Sequence, residues 1–245
     1  MKLNCDLGES FGNWTIGSDA AVMPYIDQAN IACGFHAGDP IVLAKTISLA
    51  KHYNVDIGAH PSYPDLVGFG RRSVQMSATE LIQTLHYQLS AFCGMAAIQG
   101  MQANYVKPHG ALYNDMMKDT SIRQTIFKAI ATFHQPLMVL VQATPQWESI
   151  EKEAQAMGLV INFEAFADRR YNDDGSLVSR QHERALLNEN EMLEQVRQMA
   201  TENKVTTIAG TQLSLPIHSL CVHGDNPTAI GHIQQIRQVV NQNDV

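Results

Sequence analysis

The fold is decided by a short stretch near the N-terminus, which reads ANIACGFHAGDP at residues 29–40. Its apolar first half predicts a buried β-strand over about 28–34, and Asp39 followed by Pro40 is typical of a helix N-cap and first turn. We expect that helix to run from about 40 to 53. A strand followed directly by a helix is the repeating unit of parallel α/β folds.

The same unit recurs along the chain. Further strands are predicted at about 2–6, 55–60, 104–109, 136–141, 159–164 and 217–223, and further helices at about 77–100, 119–132, 144–158 and 189–202 and after Asn226. This gives seven major strands, with 205–208 as an additional short candidate. Polar residues end most of these strands, whereas an open sheet concentrates its site at one switch point. We therefore predict an irregular (β/α) barrel with about seven parallel strands, formed as a single domain over residues 1–245.

Composition limits the partners. The net charge is −7 and the pI is about 5.8, without a basic run, which argues against binding to nucleic acid or to an anionic membrane. No apolar stretch approaches the roughly 20 residues that span a bilayer. The chain begins directly with strand-like residues, and its four cysteines form no C-x-x-C pair. We expect a cytoplasmic chain with reduced thiols that binds small molecules or other proteins.

Two carboxylates lie close together at the end of the first predicted strand. Asp6 and Glu9 flank the tight turn at Leu7–Gly8. Paired carboxylates in an apolar cleft can divide into one acid and one base, or can hold a cation together. The alternative is that Asp6 caps the turn and Glu9 is solvated.

Histidines end four different strands. These are His36, His60, His109 and His223. A neutral imidazole near a carboxylate suits a divalent metal or a general base near neutral pH. No H-x-x-x-H or H-E-x-x-H spacing is present, so local sequence does not identify a metal site.

Lys107 lies two residues before His109 and is therefore expected on the same strand face. A lysine inside a barrel needs an anion. Its predicted roles are to bind a carboxylate, a phosphate or an oxyanion. The alternative is an ion pair with Asp6, Glu9 or Glu164.

Two loops offer further polar groups. The loop at 60–72 is rich in glycine and proline and ends in Arg71 and Arg72. We interpret it as a lid that brings Arg71 onto a carboxylate or phosphate, with Arg72 as a surface charge. The loop at 166–176 is the second mobile candidate. Neither a Walker A motif nor G-x-G-x-x-G after a strand is present, so a nucleotide would bind by other means or on another chain.

Seven motifs, in chain order, carry a family resemblance. They are NCDLGES at 4–10, ANIACGFHAGD at 29–39, GAHP at 58–61, GFGR at 68–71, KPHGALYN at 107–114, FADR at 166–169 and CVHGD at 221–225. Together they closely resemble the LamB/YcsF family of bacterial 5-oxoprolinase A subunits. The resemblance implies a barrel similar to the glycoside hydrolase/deacetylase group. It also implies ATP-dependent opening of the lactam 5-oxo-L-proline to L-glutamate, together with partner subunits B and C.

The resemblance implies which motif positions belong to the site, and residue chemistry and strand position suggest their roles. The candidate catalytic residues are Asp6, Glu9, His60, Lys107 and His109, and the candidate substrate-binding residues are Asn30, His36, Arg71, Asp168, Arg169, His223 and Asp225. We hypothesise that Lys107 and Arg71 hold anionic oxygen while Asp6 or His60 activates water. A likeness to deacetylases suggests Asp6, His36 and His60 as ligands of a divalent metal.

Two alternatives and two departures from the family pattern remain. The chain is alternatively a metal-dependent deacetylase or amidohydrolase that needs no ATP, or a non-catalytic lactam-binding subunit. Residues 141–147 and 179–184 depart from the usual pattern of small residues in the family. If either loop shapes the pocket or the partner interface, specificity differs.

Overall fold

Seven parallel strands close into a barrel in the computed structural model, which describes residues 1–179, 182–222 and 227–243. The strands are β1 Lys2–Leu7, β2 Gln28–Ala32, β3 Asp56–His60, β4 Ala103–Val106, β5 Met138–Gln142, β6 Ile161–Phe166 and β9 Ser219–Val222. β9 pairs with both β6 and β1 and so closes the ring. The predicted fold class is confirmed.

Helices surround the barrel. They are α1 Asp19–Val22, α2 Pro40–Tyr53, α3 Ala78–Ile98, α4 Gly110–Lys118, α5 Thr120–Ala131, α6 Trp147–Gln155, α7 Glu189–Glu202 and α8 Pro227–Asn243, with a 3₁₀ turn at Met23–Tyr25. The predicted cap of α2 is present, since the Asp39 side chain accepts hydrogen bonds from the Ile41 and Val42 backbone N–H groups. Throughout the described ranges, every helix is too short or too polar to cross a membrane.

Two sequence predictions are confirmed but incomplete. The helix expected at 119–132 is preceded by α4, because Gly110 adopts a left-handed φ of 56° that turns the chain straight from the strand end into a helix. The candidate strand at 205–208 is β7 Lys204–Thr206, which pairs antiparallel with β8 Gln212–Ser214 outside the barrel. The predicted cap residue Asn226 lies outside the described residues.

The interior of the barrel is polar. Along β1, Leu3 and Cys5 are buried on one face, while Asn4 and Asp6 alternate with them on the other. Asn4 donates hydrogen bonds from Nδ2 across the barrel to Glu164 Oε2 at 3.0 Å and Ser219 Oγ at 2.8 Å. Branched aliphatic residues usually fill such a barrel. Here a hydrogen-bonded network fills it instead and supports the residues at the strand ends.

A tyrosine ring crosses this interior because one strand position has no side chain. Tyr105 on β4 is the register partner of Gly58 on β3, and its hydroxyl donates a 2.7 Å hydrogen bond to Asn30 Oδ1. A Cβ atom at position 58 would lie only 2.2 Å from the Tyr105 ring. The ring is buried, so it has no free space into which it can move.

We predict that Gly58→Ala lowers the free energy of unfolding by at least the ~1–3 kcal/mol typical of overpacked cores. Gly94→Ala is the matched control, because a Cβ there meets no atom within 4 Å on the outside of α3. That substitution should instead stabilise the chain by ~0.5–1 kcal/mol. Urea denaturation of both variants checks this, and equal stabilities would contradict the packing described for Tyr105.

Candidate active site

A cavity of about 900 Å³ opens at the carboxyl end of the barrel. It brings together seven of the predicted site residues from four different strand ends: Asp6, Glu9, His60, Arg71, Lys107, His109 and Arg169. Residues that are distant in sequence therefore share one site. This arrangement follows from the parallel strands, whose carboxyl ends all meet at one face.

The remaining predicted residues are not among the described residues that line the cavity. Asn30 and His36 are buried directly beside lining residues, since Asn30 is hydrogen-bonded to Asp6 and His36 to Glu9. Asp168 is half-buried after β6 and is not among the described residues that line the cavity. His223 and Asp225 lie outside the described residues.

The Lys107 ammonium is enclosed by the protein. Its Nζ lies 3.0 Å from Asp6 Oδ1, 3.1 Å from Glu164 Oε2, 3.2 Å from Asn4 Oδ1 and 3.3 Å from Cys221 Sγ. Burial is the largest single influence and opposes the charged form, but Asp6, Cys221 and Glu164 together outweigh burial and raise the pKa of Lys107 well above its usual value. An ammonium has three N–H groups. The four acceptors occupy them, so the geometry favours the ion-pair alternative for Lys107.

Glu164 is the second counter-charge in the barrel. Its side chain is fully buried, and Oε1 accepts a 2.7 Å hydrogen bond from the Tyr113 hydroxyl. Oε2 accepts from Asn4 and pairs with Lys107. The sequence suggests Glu164 only as one of several possible partners of Lys107, because no local motif identifies it as a site residue.

Asp6 has one oxygen held by the protein and one that faces the imidazoles. Oδ1 accepts from Lys107 Nζ and from Asn30 Nδ2 at 2.7 Å, while Oδ2 lies 3.4 Å from His60 Nε2. Burial would raise the pKa of this carboxyl, but His60 and Lys107 outweigh burial and hold the pKa well below its usual range. Asp6 is therefore an ionised carboxylate in a fixed orientation at neutral pH.

Glu9, His36, His60 and His109 form the imidazole cluster, the only set of possible metal-ligating groups of this kind among the described residues. One ligand atom of each lies within 4.8 Å of all the others, so the cluster could hold a metal ion. Burial lowers the pKa of His36 and of His109 well below the usual value. Both imidazoles are thus in the neutral form that binds metals. The cluster shares His36 and His60 with the trio suggested by the sequence, and adds Glu9 and His109.

The loop that carries Arg71 is held in place. Asp65 accepts hydrogen bonds from the backbone of Gly68 and from the Arg72 guanidinium, so Arg72 is a clamp as well as an exposed charge. Arg71 is exposed at the cavity rim, with its guanidinium carbon 5.3 Å from the centre of the Phe69 ring. It has no ion-pair partner in the part of the chain that the structure describes. Its charge is therefore free to meet an anion that enters the cavity.

Sequence reasoning missed a residue that supports Glu9. Asp19 Oδ2 accepts hydrogen bonds from the Gly8 backbone at 3.0 Å and from Thr46 Oγ1 at 2.7 Å, and Asp19 lines the cavity. Gly8 has a φ of 69°, which favours glycine. Asp19 thus holds the turn between Asp6 and Glu9. Only the fold brings it there, from the first turn of the short helix α1.

Comparison with known proteins gives concordant matches. The LamB/YcsF family model matches residues 1–245. A protein named as the A subunit of 5-oxoprolinase from Vibrio parahaemolyticus is 50% identical over 239 residues, which cover 97% of this chain and 94% of the relative. One of the same name from Pseudomonas fluorescens is 47% identical over 243 residues, covering 99% and 97%. The crystal structure of the lactam utilization protein from Thermus thermophilus superposes with a TM-score of 0.91 at 34% identity, covering 99% and 96% of the two chains.

We predict that Lys107→Met lowers the free energy of unfolding by ~3–5 kcal/mol, because it leaves two buried carboxylates without their shared counter-charge. The double variant Lys107→Met/Glu164→Gln should recover at least ~1 kcal/mol of that loss, since one of the stranded charges is removed with its partner. Urea denaturation at pH 7 measures both. If the double variant is no more stable than the single one, Lys107 and Glu164 are not energetically coupled.

Proposed function

This chain belongs to the LamB/YcsF family, and on that premise we propose that it acts on 5-oxo-L-proline as one component of a multi-subunit 5-oxoprolinase. The names of its relatives support both the substrate and the assembly into a larger enzyme. The observation that carries the proposal is the cavity floor, where an ionised Asp6 is held between Lys107 and His60. That arrangement suits the hydrolysis of an amide.

The proposed reaction couples ring opening to ATP. An unstrained lactam amide is a poor electrophile. Transfer of the γ-phosphoryl group of ATP to the lactam oxygen, with release of ADP, makes the ring carbon reactive. Water then adds to this carbon, the C–N bond breaks, and the ring nitrogen takes a proton to become the amine. A second water hydrolyses the resulting acyl phosphate to L-glutamate and inorganic phosphate. We propose that subunits B and C supply the ATP site, since this chain has no phosphate-binding loop motif.

The position of each site residue suggests its role in this reaction. Arg71 at the rim suits the carboxylate of the lactam, because a guanidinium can bind it through two parallel hydrogen bonds. Asp6 Oδ2 accepts a proton from the attacking water, and the adjacent Nε2 of His60 relays that proton to the departing nitrogen. Lys107 keeps Asp6 ionised and oriented. A positioned base of this kind contributes on the order of 10²–10⁴-fold to the rate.

A second candidate function is favoured by the imidazole cluster. A divalent ion held there would act as a Lewis acid on an amide carbonyl, and hydrolysis would then need no ATP. A chelator distinguishes the two functions. Metal-dependent amide hydrolysis would be lost on chelation in the absence of any nucleotide.

We predict that the purified chain with ATP and 5-oxoproline releases no glutamate above background, and that adding subunits B and C restores ATP-dependent release. The physical reason is the missing phosphate-binding loop. Glutamate and ADP are measured together, because the proposed reaction forms them in equal amounts. Full ATP-dependent turnover by the chain alone would refute the division of labour.

In the reconstituted complex, Asp6→Asn should lower kcat by ~10²-fold or more, because it removes the base while keeping the shape. Asp56→Asn is the matched control. Asp56 pairs with Lys2 at the opposite end of the barrel and should leave kcat within ~2-fold. If Asp6→Asn retains full turnover at saturating lactam, the chain only binds the lactam, and the chemistry belongs to its partners.

Arg71→Gln should raise KM for 5-oxoproline by ~10- to 100-fold with a smaller change in kcat, as expected for loss of a charge-assisted hydrogen bond worth ~1.5–3 kcal/mol. Arg71→Lys keeps the charge but loses the planar fork, so its KM should lie between those of the parent and the glutamine variant. Steady-state kinetics of the complex measures both. An unchanged KM in Arg71→Gln would remove Arg71 from the substrate site.

A further inference from the structure

Backbone carbonyls determine the tautomers of two histidines in the imidazole cluster. His60 Nδ1 lies 2.7 Å from the Lys107 carbonyl oxygen, and His109 Nε2 lies 3.0 Å from the Phe69 carbonyl oxygen. A carbonyl oxygen only accepts hydrogen bonds, so each of these two nitrogens carries a proton. In the neutral rings, the proton-free nitrogens are then Nε2 of His60 and Nδ1 of His109.

These two proton-free nitrogens face each other at a distance of 2.9 Å. Two lone pairs this close repel each other unless a cation lies between or beside them. Carboxylate oxygens flank the pair on both sides, with Asp6 Oδ2 3.4 Å from His60 Nε2 and Glu9 Oε1 3.5 Å from His109 Nδ1. Two ring nitrogens and two carboxylate oxygens therefore offer four possible metal-ligand atoms, and none of the four belongs to a positively charged group.

The third histidine of the cluster does not fit the same ion. The His36 ring stacks on the His109 ring with centroids 3.7 Å apart and planes 2° from parallel. An imidazole binds a metal along a lone pair in its own plane, so two parallel stacked rings cannot both point at one ion. His36 Nδ1 is buried and has no hydrogen-bond partner among the described residues, whereas His36 Nε2 lies 3.1 Å from Glu9 Oε1.

The buried negative charges favour binding of a divalent cation. When ionised, Asp6, Glu9 and Glu164 carry three negative charges, and Lys107 supplies one positive charge among them. If all three are ionised, two of these negative charges have no lysine partner within the enclosed floor of the barrel. Uncompensated charge in such surroundings is costly. A divalent ion beside the two histidines neutralises it.

We propose that His60 Nε2 and His109 Nδ1 bind one divalent transition metal, that Asp6 and Glu9 complete its protein ligands, and that His36 is a positioning residue outside the ligand set. Two imidazoles with carboxylates suit Zn²⁺, Mn²⁺, Fe²⁺ or Co²⁺, whereas Mg²⁺ and Ca²⁺ prefer sites made of oxygen alone. His36 holds Glu9 by a hydrogen bond and His109 by stacking. This inference rests on the proposed function, because both use the cavity floor. Metal binding is nevertheless measured without lactam, ATP or partner subunits. A failure to bind metal is therefore distinguishable from a failure of the proposed function.

The test uses the full chain with any affinity tag removed and its metal stripped by a chelator. Calorimetric titration with Zn²⁺ and visible absorption with Co²⁺ should both show one equivalent bound per chain. His60→Gln and His109→Gln should each weaken binding by well over ~100-fold, beyond the loss typical of an outer partner, while His36→Gln should cost only the ~10- to 100-fold typical of one. His52→Gln is the control for adventitious imidazole binding, since His52 is exposed near the end of α2. It should leave the affinity unchanged.

Two results would overturn the proposal. Absence of one-equivalent binding of both Zn²⁺ and Co²⁺ would mean that the two nitrogens share a proton instead of a metal. A loss in His36→Gln as large as in His60→Gln would mean that the ligand set is wrong. Circular dichroism verifies that the variants fold. If they do not, X-ray absorption of the Zn²⁺-loaded parent chain decides: two imidazole ligands support the proposal, and three overturn it.

Discussion

The Lys107 ammonium lies almost fully buried inside the barrel, where a charge persists only if opposite charges and hydrogen bonds surround it. Many of the polar side chains inside the barrel provide these opposite charges and hydrogen bonds. Two carboxylates pair with the ammonium, and Asn4 bonds both to it and to Glu164. Replacing aliphatic packing by such a network costs stability, because each buried polar group must find its partners. In exchange for this loss of stability, the network determines the orientation and the ionisation of the Asp6 carboxylate before any ligand binds.

Preorganisation extends from this network to the imidazoles through the backbone. The carbonyl of Lys107 itself orients His60, so the residue that holds Asp6 also determines which nitrogen of His60 faces it. The carbonyl of Phe69 does the same for His109, and Phe69 belongs to the loop that Asp65 clamps. Rigid supports of this kind keep reactive groups in place at no cost when a ligand binds. The loop at 60–72 is therefore better described as part of the site than as a lid that must close over it.

The sequence was sufficient for the fold and for the location of the site, and insufficient for its internal geometry. Alternating polarity and helix caps located the barrel strands, and the common orientation of parallel strands predicted that their polar ends meet. α4 was missed because Gly110 turns directly from strand end to helix, which local patterns do not reveal. Glu164 and the stacking of His36 on His109 depend on side chains that meet only across the folded barrel. Histidine tautomers depend on carbonyls from other segments, which no spacing in the sequence encodes.

The two segments that the sequence analysis expects to depart from the family pattern, 141–147 and 179–184, are linked in the structure. Gln142, at the end of β5, donates a 2.8 Å hydrogen bond to the Gly175 carbonyl, and a Cβ atom at Gly175 would lie 2.3 Å from Pro145. The segment at 141–147 thus packs against the loop that leads into 179–184, and both contribute to the wall of the cavity. A substitution in one loop must be accommodated by the other, because the contact leaves no room for independent movement. We therefore expect a change of the cavity wall in this chain to require paired substitutions in the two segments, while the charged floor remains constrained by the buried lysine.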